Sequence, residues 1–248
     1  MYLKQFFSLI VLFAIVLLLL YFLIMNGYLR FNYVSRKEFP VQGIDISHHQ
    51  GKIDWEKLRE EKINFVFIKA TEGMDFEDPD FRKNWENSVK EGYKTGAYHF
   101  YRLCTTPEKQ AENFIRTVPE DKNAMPPVVD LEFGGNCASN KSKAEEIKDI
   151  YLFLEILEKH YGKKVIIYAT KEFYDQYMKN EFLENPLWIR DILSKPKLTE
   201  KRKWVFWQYA NKGRLKGIDT LVDINAFNGD EQNFEKFLRG VENPISNF

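Results

Sequence analysis

An apolar segment near the middle of this chain ends in two acidic residues. It reads Pro126-Pro127-Val128-Val129-Asp130-Leu131-Glu132. Residues two apart on a β-strand project to the same face, so Asp130 and Glu132 would point in the same direction. Buried carboxylates are costly unless they are paired or used. The segment therefore predicts a strand that carries an acid/base site rather than one that only fills a core.

Two further segments carry the same order of apolar, acidic, apolar and polar residues. They are Gly43-Ile44-Asp45-Ile46-Ser47 and Leu221-Val222-Asp223-Ile224-Asn225. If each segment is a strand, Asp45 and Asp223 face a cleft while the neighbouring Ile, Leu and Val side chains face a packed shell. The three segments together predict one cluster of carboxyl groups supplied by several strands.

Strand-like and helix-like runs alternate after residue 40, which is typical of α/β folds. Eight strand-like runs begin near Val41, Phe65, Thr95, Pro127, Val165, Leu187, Val205 and Leu221. Helix-like runs occupy residues 55–62, 80–91, 108–117, 143–161, 172–179 and 231–239. We predict an irregular (β/α) barrel, TIM-barrel-like, with eight strands and fewer than eight helices. In such barrels the site lies at the C-terminal ends of the strands, where this assignment places the four acids.

The N-terminus is almost wholly apolar. Residues 6–25 carry no charge, and a helix of about 20 residues spans a bilayer core of roughly 30 Å. A cleaved signal peptide is the alternative, but its apolar region is usually about 7–15 residues and small residues follow it. Asn26-Gly27-Tyr28-Leu29-Arg30 offers no such cleavage site. We predict a transmembrane signal-anchor at 1–25, a linker at 26–40 and a catalytic barrel at 41–248.

The charges of the chain limit its partners. Lys+Arg and Asp+Glu are equal at 36 each, so no overall field favours nucleic acid or an acidic polymer.

Cations are denser after the apolar run (Arg30, Arg36, Lys37) than before it (Lys4). The positive-inside rule would therefore argue against an exported domain. We therefore infer the side of the membrane on which the domain lies from its predicted function and not from these charges.

A series of ordered motifs from Val41 to Gly240 resembles glycoside hydrolase family 25, the Chalaropsis-type lysozymes. The motifs are Gly43-Ile44-Asp45-Ile46-Ser47, Gln50-Gly51, Asp54-Trp55, Phe67-Ile68-Lys69-Ala70-Thr71-Glu72-Gly73, Gly96-Ala97-Tyr98-His99-Phe100, Asp130-Leu131-Glu132, Ile167-Tyr168, Leu187-Trp188-Ile189, Trp207-Gln208-Tyr209 and Val222-Asp223-Ile224-Asn225. Each motif is weak alone, and their common order makes the resemblance specific. Arg190-Asp191 departs from the family pattern, which would alter a substrate subsite.

The resemblance implies an N-acetylmuramidase, which cleaves the β-1,4 bond between N-acetylmuramic acid and N-acetylglucosamine in peptidoglycan. It implies Glu132 as the general acid, with a pKa raised by partial burial and neighbouring negative charge. Asp130 would assist, by orienting a substrate acetamido group or by acting more directly. Asp45 and Asp223 would position sugar or water. The expected sugar-contacting residues are Tyr98, Tyr168, Trp207 and Gln208.

Some of these residues also have a purely structural interpretation. Asp130 and Glu132 could form salt bridges to barrel lysines or arginines, and Asp45 and Asp223 could serve only as hydrogen-bonding groups. Aromatic residues such as Tyr98 also fill barrel cores. The ordered motifs favour the catalytic interpretation for the acids.

The histidines raise the possibility of a metal site. His48, His49 and His99 lie near acids in the sequence, and imidazole with carboxylate is a common ligand set. No two of them have the spacing of a helical zinc motif, and the implied chemistry requires no metal. We therefore predict no metal and no cofactor.

Cys104 and Cys137 follow the third and fourth predicted strands, so both lie on loops at one rim of the barrel. Adjacent strands bring such loops close, and an exported domain favours oxidation. We predict a disulfide between them, with two free buried thiols as the alternative.

The predicted protein is a membrane-anchored peptidoglycan hydrolase, active outside the cytoplasm in the periplasm or at the cell surface. Secretion after cleavage is the alternative. The expected partners are peptidoglycan glycan strands and, through the N-terminal helix, the membrane; we expect a monomer and no nucleic acid. A non-catalytic peptidoglycan-binding module or a hydrolase of another N-acetylated glycan are the competing functions. The clustered acids favour an enzyme, because a binding module gains nothing from them.

Overall fold

Strands and helices alternate along most of the chain. The computed structural model describes residues 2–198 and 202–240, so residues 241–248 of the predicted domain lie outside the described residues. The strands are β1 (Gln42–Ile46), β2 (Phe65–Glu72), β3 (Phe76–Glu77), β4 (Lys94–Phe100), β5 (Val128–Leu131), β6 (Ile166–Thr170), β7 (Leu187–Arg190), β8 (Phe206–Leu215) and β9 (Ile218–Phe227). The helices are α1 (Tyr2–Met25), α2 (Trp55–Leu58), α3 (Phe81–Lys90), α4 (Pro107–Thr117), α5 (Lys143–Tyr161), α6 (Lys171–Phe173) and α7 (Glu231–Leu238).

Eight of the strands close into a barrel, as predicted. Their order around the ring is β1, β9, β8, β7, β6, β5, β4 and β2, and β1 pairs with β2 to complete it. The two-residue β3 only extends the edge of β2. Each predicted helical region contains helix, and the barrel has fewer than eight helices because none is described between β7 and β8 in residues 191–198 and 202–205.

The longest barrel helix begins and ends at local signals. Glu145 Oε2 accepts a hydrogen bond from the Ser142 N–H (2.7 Å), and Ser142 Oγ accepts one from the Glu145 N–H. This capping box satisfies two of the free N–H groups that begin α5. Gly162 ends the helix in a left-handed conformation (φ 64°) that glycine adopts without strain.

The direction of β9 changes how Asp223 reaches the site. Most neighbouring strands are parallel, but β9 runs antiparallel to both β1 and β8. Asp223 lies in the middle of β9 and pairs with Asp45 across the antiparallel ladder. Its predicted position at the C-terminal end of a strand was therefore wrong. The β8–β9 hairpin reverses the chain, and the antiparallel β9 then brings Asp223 to the rim formed by the ends of the parallel strands.

Aromatic rings fill the barrel below that rim. The ring centre of Phe206 lies 5.2 Å from that of Phe65 and 5.4 Å from that of Phe67. Gly43 and Gly96 face these rings, and a Cβ on either would lie 2.3 or 2.7 Å from the nearest ring carbon. The two motif glycines therefore make room for the aromatic floor. Because this floor is packed, the barrel is open for a ligand only at the rim.

The N-terminal helix lies outside the barrel. In the described part of the chain, Lys4–Met25 is the one helical stretch long and apolar enough to cross a membrane, and none of it is buried in the protein. Residues 26–40, predicted as a linker, lie along the barrel. Phe39 is buried against the rings of Trp204 and Trp207, and Arg36 donates hydrogen bonds to the carbonyls of Pro40 and Glu61.

The predicted disulfide is present. Cys104 and Cys137 are bonded, with their Cα atoms 5.8 Å apart. The neighbouring Asn136 side chain accepts a hydrogen bond from the Leu103 N–H and donates to the Glu132 carbonyl. The bridge and this amide together hold the loop that follows Glu132 against the loop after β4.

We expect reduction of the disulfide to lower the free energy of unfolding by about 4 kcal/mol. The bridge joins residues 33 apart in sequence, and closing a loop of that size removes chain entropy mainly from the unfolded state. Urea unfolding of the native protein and of Cys104→Ser/Cys137→Ser would measure this loss. Equal transition midpoints, or two free thiols in the intact mass of the unreduced protein, would contradict the expectation.

Candidate active site

A cleft of about 360 Å³ opens at the rim of the barrel. All but one of the predicted site residues line it, namely Asp45, Tyr98, Asp130, Glu132, Tyr168, Gln208 and Asp223. The side chains come from six different strands and the residue after β5, so only the closed barrel brings them together. Lys69, Trp188, Arg190 and Asn211 also line the cleft. None of them is among the predicted site residues, although Arg190 belongs to the departure from the family pattern that is expected to alter a subsite.

Asp130 and Glu132 project into the cleft from the end of β5. Asp130 Oδ1 is buried and has no hydrogen-bond partner among the residues described. Glu132 Oε2 lies 3.9 Å from Arg190 Nη1, which is a long ion pair beyond hydrogen-bonding distance. One acid therefore presents a free acceptor to a ligand, and the other faces a cation.

Burial raises the pKa of both carboxyl groups. The pKa of Asp130 lies well above its ordinary value because the group is buried, and the negative charge of Glu132 raises it further. Burial also raises the pKa of Glu132, while the Arg190 guanidinium opposes this shift. Two close carboxyls cannot both ionise easily. The pair therefore retains a proton at a pH where isolated carboxyls would be ionised.

Asp45 and Asp223 form a second acidic pair beside the first. Asp45 Oδ2 accepts hydrogen bonds from Gln208 Nε2 (3.0 Å) and Asn225 Nδ2 (2.8 Å). These bonds favour the ionised form of Asp45, although burial still raises its pKa. The pKa of Asp223 lies well above its ordinary value because of burial and the charge of Asp45. The pKa of Asp223 is the more strongly raised of the two, so a proton shared by the pair is held more readily by Asp223, hydrogen-bonded to Asp45.

Two amide side chains hold this pair in place from behind. Gln208 Oε1 accepts a hydrogen bond from the Tyr168 hydroxyl (3.0 Å), and Asn225 Oδ1 accepts one from Trp188 Nε1 (2.9 Å). Each amide is therefore oriented on both sides, with its N–H group directed at Asp45. This chain of bonds keeps the carboxylate of Asp45 in one position.

We expect Asp223→Asn to raise the melting temperature at pH 7. Folding raises the pKa of Asp223, so its protonated form favours the folded state. Its contribution to stability is therefore lost as pH rises from the unfolded value near 3.8 through the folded value. The amide keeps a donor for Asp45 and does not ionise. Each kcal/mol gained should raise the melting temperature by about 2–4 °C.

The matched control for this variant is Asp219→Asn, an exposed position on the same strand. Calorimetric scans between about pH 3 and pH 8 should show the gain of Asp223→Asn shrinking as the solution becomes more acidic. A gain of the same size at every pH, or one shared by Asp219→Asn, would contradict the assignment.

Trp207 does not reach the cleft, contrary to the sequence prediction. Successive side chains on a strand alternate between faces, and Gln208 takes the inward position on β8. Trp207 points outward, is 3% exposed and donates a hydrogen bond from Nε1 to the Asp191 carbonyl. It packs among Phe39 and Trp204 and belongs to the shell outside the barrel.

Trp188 is the tryptophan that lines the cleft, although it is not among the predicted sugar-contacting residues. Its ring lies edge-on to that of Tyr168, with the centroids 4.7 Å apart. Trp188 and Arg190 are two apart on β7 and share a face. Alternation along the strand shows that the two residues share a face, but it does not show that this face points into the cleft.

We expect Arg190→Gln to move the alkaline limb of the pH–rate profile to higher pH. Arg190 lowers the pKa of Glu132, so removing the cation lets that pKa rise further. If Glu132 is the general acid that the motifs imply, it is active only while protonated, and activity is lost as pH rises through its pKa. Measurements of kcat/KM against pH would detect the shift. Arg82→Gln, an exposed cation on α3, should leave the profile unchanged; an unmoved limb in Arg190→Gln would contradict the contact.

The histidines have partners of their own. His48 Nδ1 lies 2.6 Å from Asp78 Oδ2, and the buried His99 contacts Thr71 and Gln110. Burial lowers the pKa of His99 to about 3, so the ring is neutral. Across residues 2–198 and 202–240, His, Cys, Asp and Glu side chains form no group of three or more placed to hold a metal ion.

Comparisons with known proteins agree with this geometry. The family model described as glycosyl hydrolases family 25 matches residues 44–218. The protein YegX of Escherichia coli K12 is 34% identical over 209 residues, which are 82% of this chain and 75% of the relative. Lysozyme M1 of Streptomyces globisporus is 32% identical over 200 residues, 76% of this chain and 68% of that protein.

A solved structure extends the comparison to three dimensions. The structure of a family 25 glycosyl hydrolase from Bacillus anthracis superposes with a TM-score of 0.78 at 44% identity, covering 84% of this chain and 97% of the other. The family model alone spans well over half of the sequence, from the strand that carries Asp45 to the start of β9. By sequence motifs, barrel topology and these matches, the chain belongs to glycosyl hydrolase family 25.

Proposed function

We propose that this glycoside hydrolase is a lysozyme-type N-acetylmuramidase, which cleaves the β-1,4 bond between N-acetylmuramic acid and N-acetylglucosamine in peptidoglycan. The main support is the Asp130–Glu132 pair, two carboxyls with raised pKa at the rim of a family 25 barrel. The likeness to lysozyme M1 supports the same substrate class.

Glu132 is the proposed proton donor. Its side chain is 20% exposed, so it can reach a bound glycan. In the reaction the bond between the anomeric carbon and the glycosidic oxygen breaks, and the proton of Glu132 passes to the leaving oxygen. Water then supplies the hydroxyl group that bonds to the anomeric carbon, and its remaining proton restores Glu132. Its raised pKa serves this step, because the carboxyl keeps its proton to a higher pH than an isolated glutamate does.

Asp130 is proposed to assist the reaction, and its unpaired hydrogen-bond acceptor indicates how. The buried Oδ1 without a partner is suited to an N–H donor, which the 2-acetamido group of the substrate would supply. Such a bond favours the ionised form of Asp130, which leaves the shared proton of the pair on Glu132. It would also orient the acetamido oxygen towards the anomeric carbon. Direct assistance by the carboxylate is the alternative.

The remaining cleft residues are proposed to hold the sugar. Asp45 is fixed as a hydrogen-bond acceptor by its two amide donors and would bind a sugar hydroxyl or the attacking water. Tyr98, Tyr168 and Trp188 present aromatic surface, which suits the apolar faces of sugar rings. Trp207 is excluded from this set by its outward position.

Digestion of purified peptidoglycan by the full chain tests this function. A fall in turbidity with new reducing N-acetylmuramic acid ends, identified by mass spectrometry, is expected. New reducing N-acetylglucosamine ends would indicate a different bond. Binding to peptidoglycan without any new reducing ends would indicate a non-catalytic binding module.

We also propose that α1 is retained as a membrane anchor and that the barrel acts outside the cytoplasm, in the periplasm or at the cell surface. The length and apolar character of Lys4–Met25 support a membrane span. Intact-mass analysis of the protein from washed membranes should give the full-length mass. A mature form without the apolar helix, found in the culture fluid, would show that the helix is a cleaved signal sequence.

A further inference from the structure

The segment that follows α1 is fastened to the β8–β9 hairpin. Gly27 is buried there with φ 71°, and a Cβ at this position would lie 2.4 Å from the carbonyl oxygen of Lys212. Arg214 Nε donates a hydrogen bond to the Asn26 carbonyl (2.6 Å). The Arg214 guanidinium also lies 4.3 Å from the ring centre of Tyr28. The end of the apolar helix and the hairpin therefore form one surface.

The side chains on this surface are aromatic and basic. Tyr28, Phe31 and Tyr33 are 55%, 60% and 63% exposed. The Arg30 guanidinium lies 4.8 Å from the ring centre of Tyr33, and Lys212 Nζ lies 3.0 Å from Met25 Sδ at the end of α1. Aromatic rings and cations beside the end of a spanning helix are typical of the lipid headgroup region.

The same hairpin reaches the cleft. Asn211 lines the cleft and directly precedes Lys212, and Asp223 lies on the returning strand. Gln208, earlier on β8, donates to Asp45 inside the site. If α1 spans a bilayer, the rim of the cleft must therefore lie near the bilayer surface.

We infer that Tyr28, Arg30, Phe31, Tyr33, Lys212 and Arg214 form a membrane-seating surface that binds anionic phospholipid headgroups. This seating holds the cleft at the bilayer surface. The substrate that the cleft binds is therefore the glycan strand nearest the membrane, including strands still attached to a lipid carrier. That choice of substrate rests on the proposed function, whereas the seating itself does not. Binding of headgroups also gives Arg30 a role on the outer side of the membrane. The positive-inside rule alone would not place a cation on that side.

Site-specific fluorescence tests the seating directly. Both cysteines of the chain are in the disulfide, so Arg214→Cys offers a single thiol for an NBD label. The control label is Lys90→Cys, an exposed position at the end of α3 that leads into the start of β4, on the side of the barrel opposite the cleft. The full chain is reconstituted in liposomes of phosphatidylcholine with about one-third phosphatidylglycerol, which supplies the anionic surface.

Quenching by headgroup-labelled lipid is expected to be several-fold stronger at position 214 than at position 90. The difference should shrink in liposomes of phosphatidylcholine alone, because the cations lose their partner. Equal quenching at the two positions would overturn the inference. A difference that is unaffected by phosphatidylglycerol would overturn the binding of anionic headgroups.

Charge reversal separates seating from catalysis. Lys212→Glu/Arg214→Glu should cleave glycan strands anchored in the same liposomes several-fold more slowly than wild type, while keeping the wild-type rate on soluble glycan fragments. The matched control, Lys83→Glu/Lys90→Glu on α3, should keep both rates. An unchanged rate on anchored strands would overturn the inference. If wild type cleaves neither substrate, the proposed function fails and the quenching measurement still decides the seating.

Discussion

Glu132→Gln is expected to lower kcat/KM on peptidoglycan by about 10³-fold, within the 10²–10⁴-fold range that general acid catalysis contributes. The amide has nearly the same shape as the acid but has no proton to give to the leaving oxygen. Initial rates of reducing-end formation would measure the loss. Binding of glycan should change little, because the proton transfer occurs only in the transition state.

The control for this variant is Glu86→Gln, an exposed position on α3 far in sequence from the site. It should keep the wild-type rate. Thermal unfolding should show that Glu132→Gln is at least as stable as wild type, because the raised pKa of Glu132 reflects a folded environment that disfavours its charge. Wild-type activity in a folded Glu132→Gln protein would rule out Glu132 as the general acid.

Asp130→Asn is expected to lower kcat/KM by about 10²–10³-fold, as loss of one preorganised electrostatic contact to the transition state does. Asparagine keeps an oxygen acceptor but has no negative charge. It therefore binds the acetamido N–H more weakly and stabilises less of the positive charge that develops on the sugar. Asp75→Asn, on the exposed turn after β2, is the matched control and should keep its activity.

A second substrate distinguishes the two possible roles of Asp130. If Asp130 acts through the acetamido group, peptidoglycan from which the N-acetyl groups have been removed should be a poor substrate for wild type. Asp130→Asn should then lose little further activity on it, so the two changes would not be additive. Full additivity would show that Asp130 acts directly on the reacting centre and not through the acetamido group.

Features encoded by neighbouring residues could be predicted well from the sequence. α5 was predicted at residues 143–161 and occupies Lys143–Tyr161, because Ser142 and Gly162 supply its two ends. The order of strands and helices followed from periodicity alone, and the close spacing of Asp130 and Glu132 placed both acids at one strand end. The two cysteines were paired correctly since each follows an adjacent parallel strand.

Features that depend on which face of a strand points into the barrel were harder to predict from the sequence. Trp188 and Trp207 both lie in short aromatic strands, and nothing local shows which of them faces the cleft. Which face of each strand points into the cleft is shown only by the positions of Arg190 and Gln208, whose side chains line it. The direction of β9 was missed for a similar reason, because the hydrophobic pattern of a strand is the same when it is read in either direction.

The residues alone establish the barrel, the membrane-length helix, the family motifs and the positions of four acids in the chain, because spacing and capping are local properties. The folded arrangement determines which acids lie close together and raise the pKa of one another, and which cation opposes that shift. Asp45 and Asn225 are 180 residues apart and are joined by a hydrogen bond. Protonation depends on burial and on charges brought close by the fold, so no local pattern could assign Asp223 as a donor or place Arg190 beside Glu132.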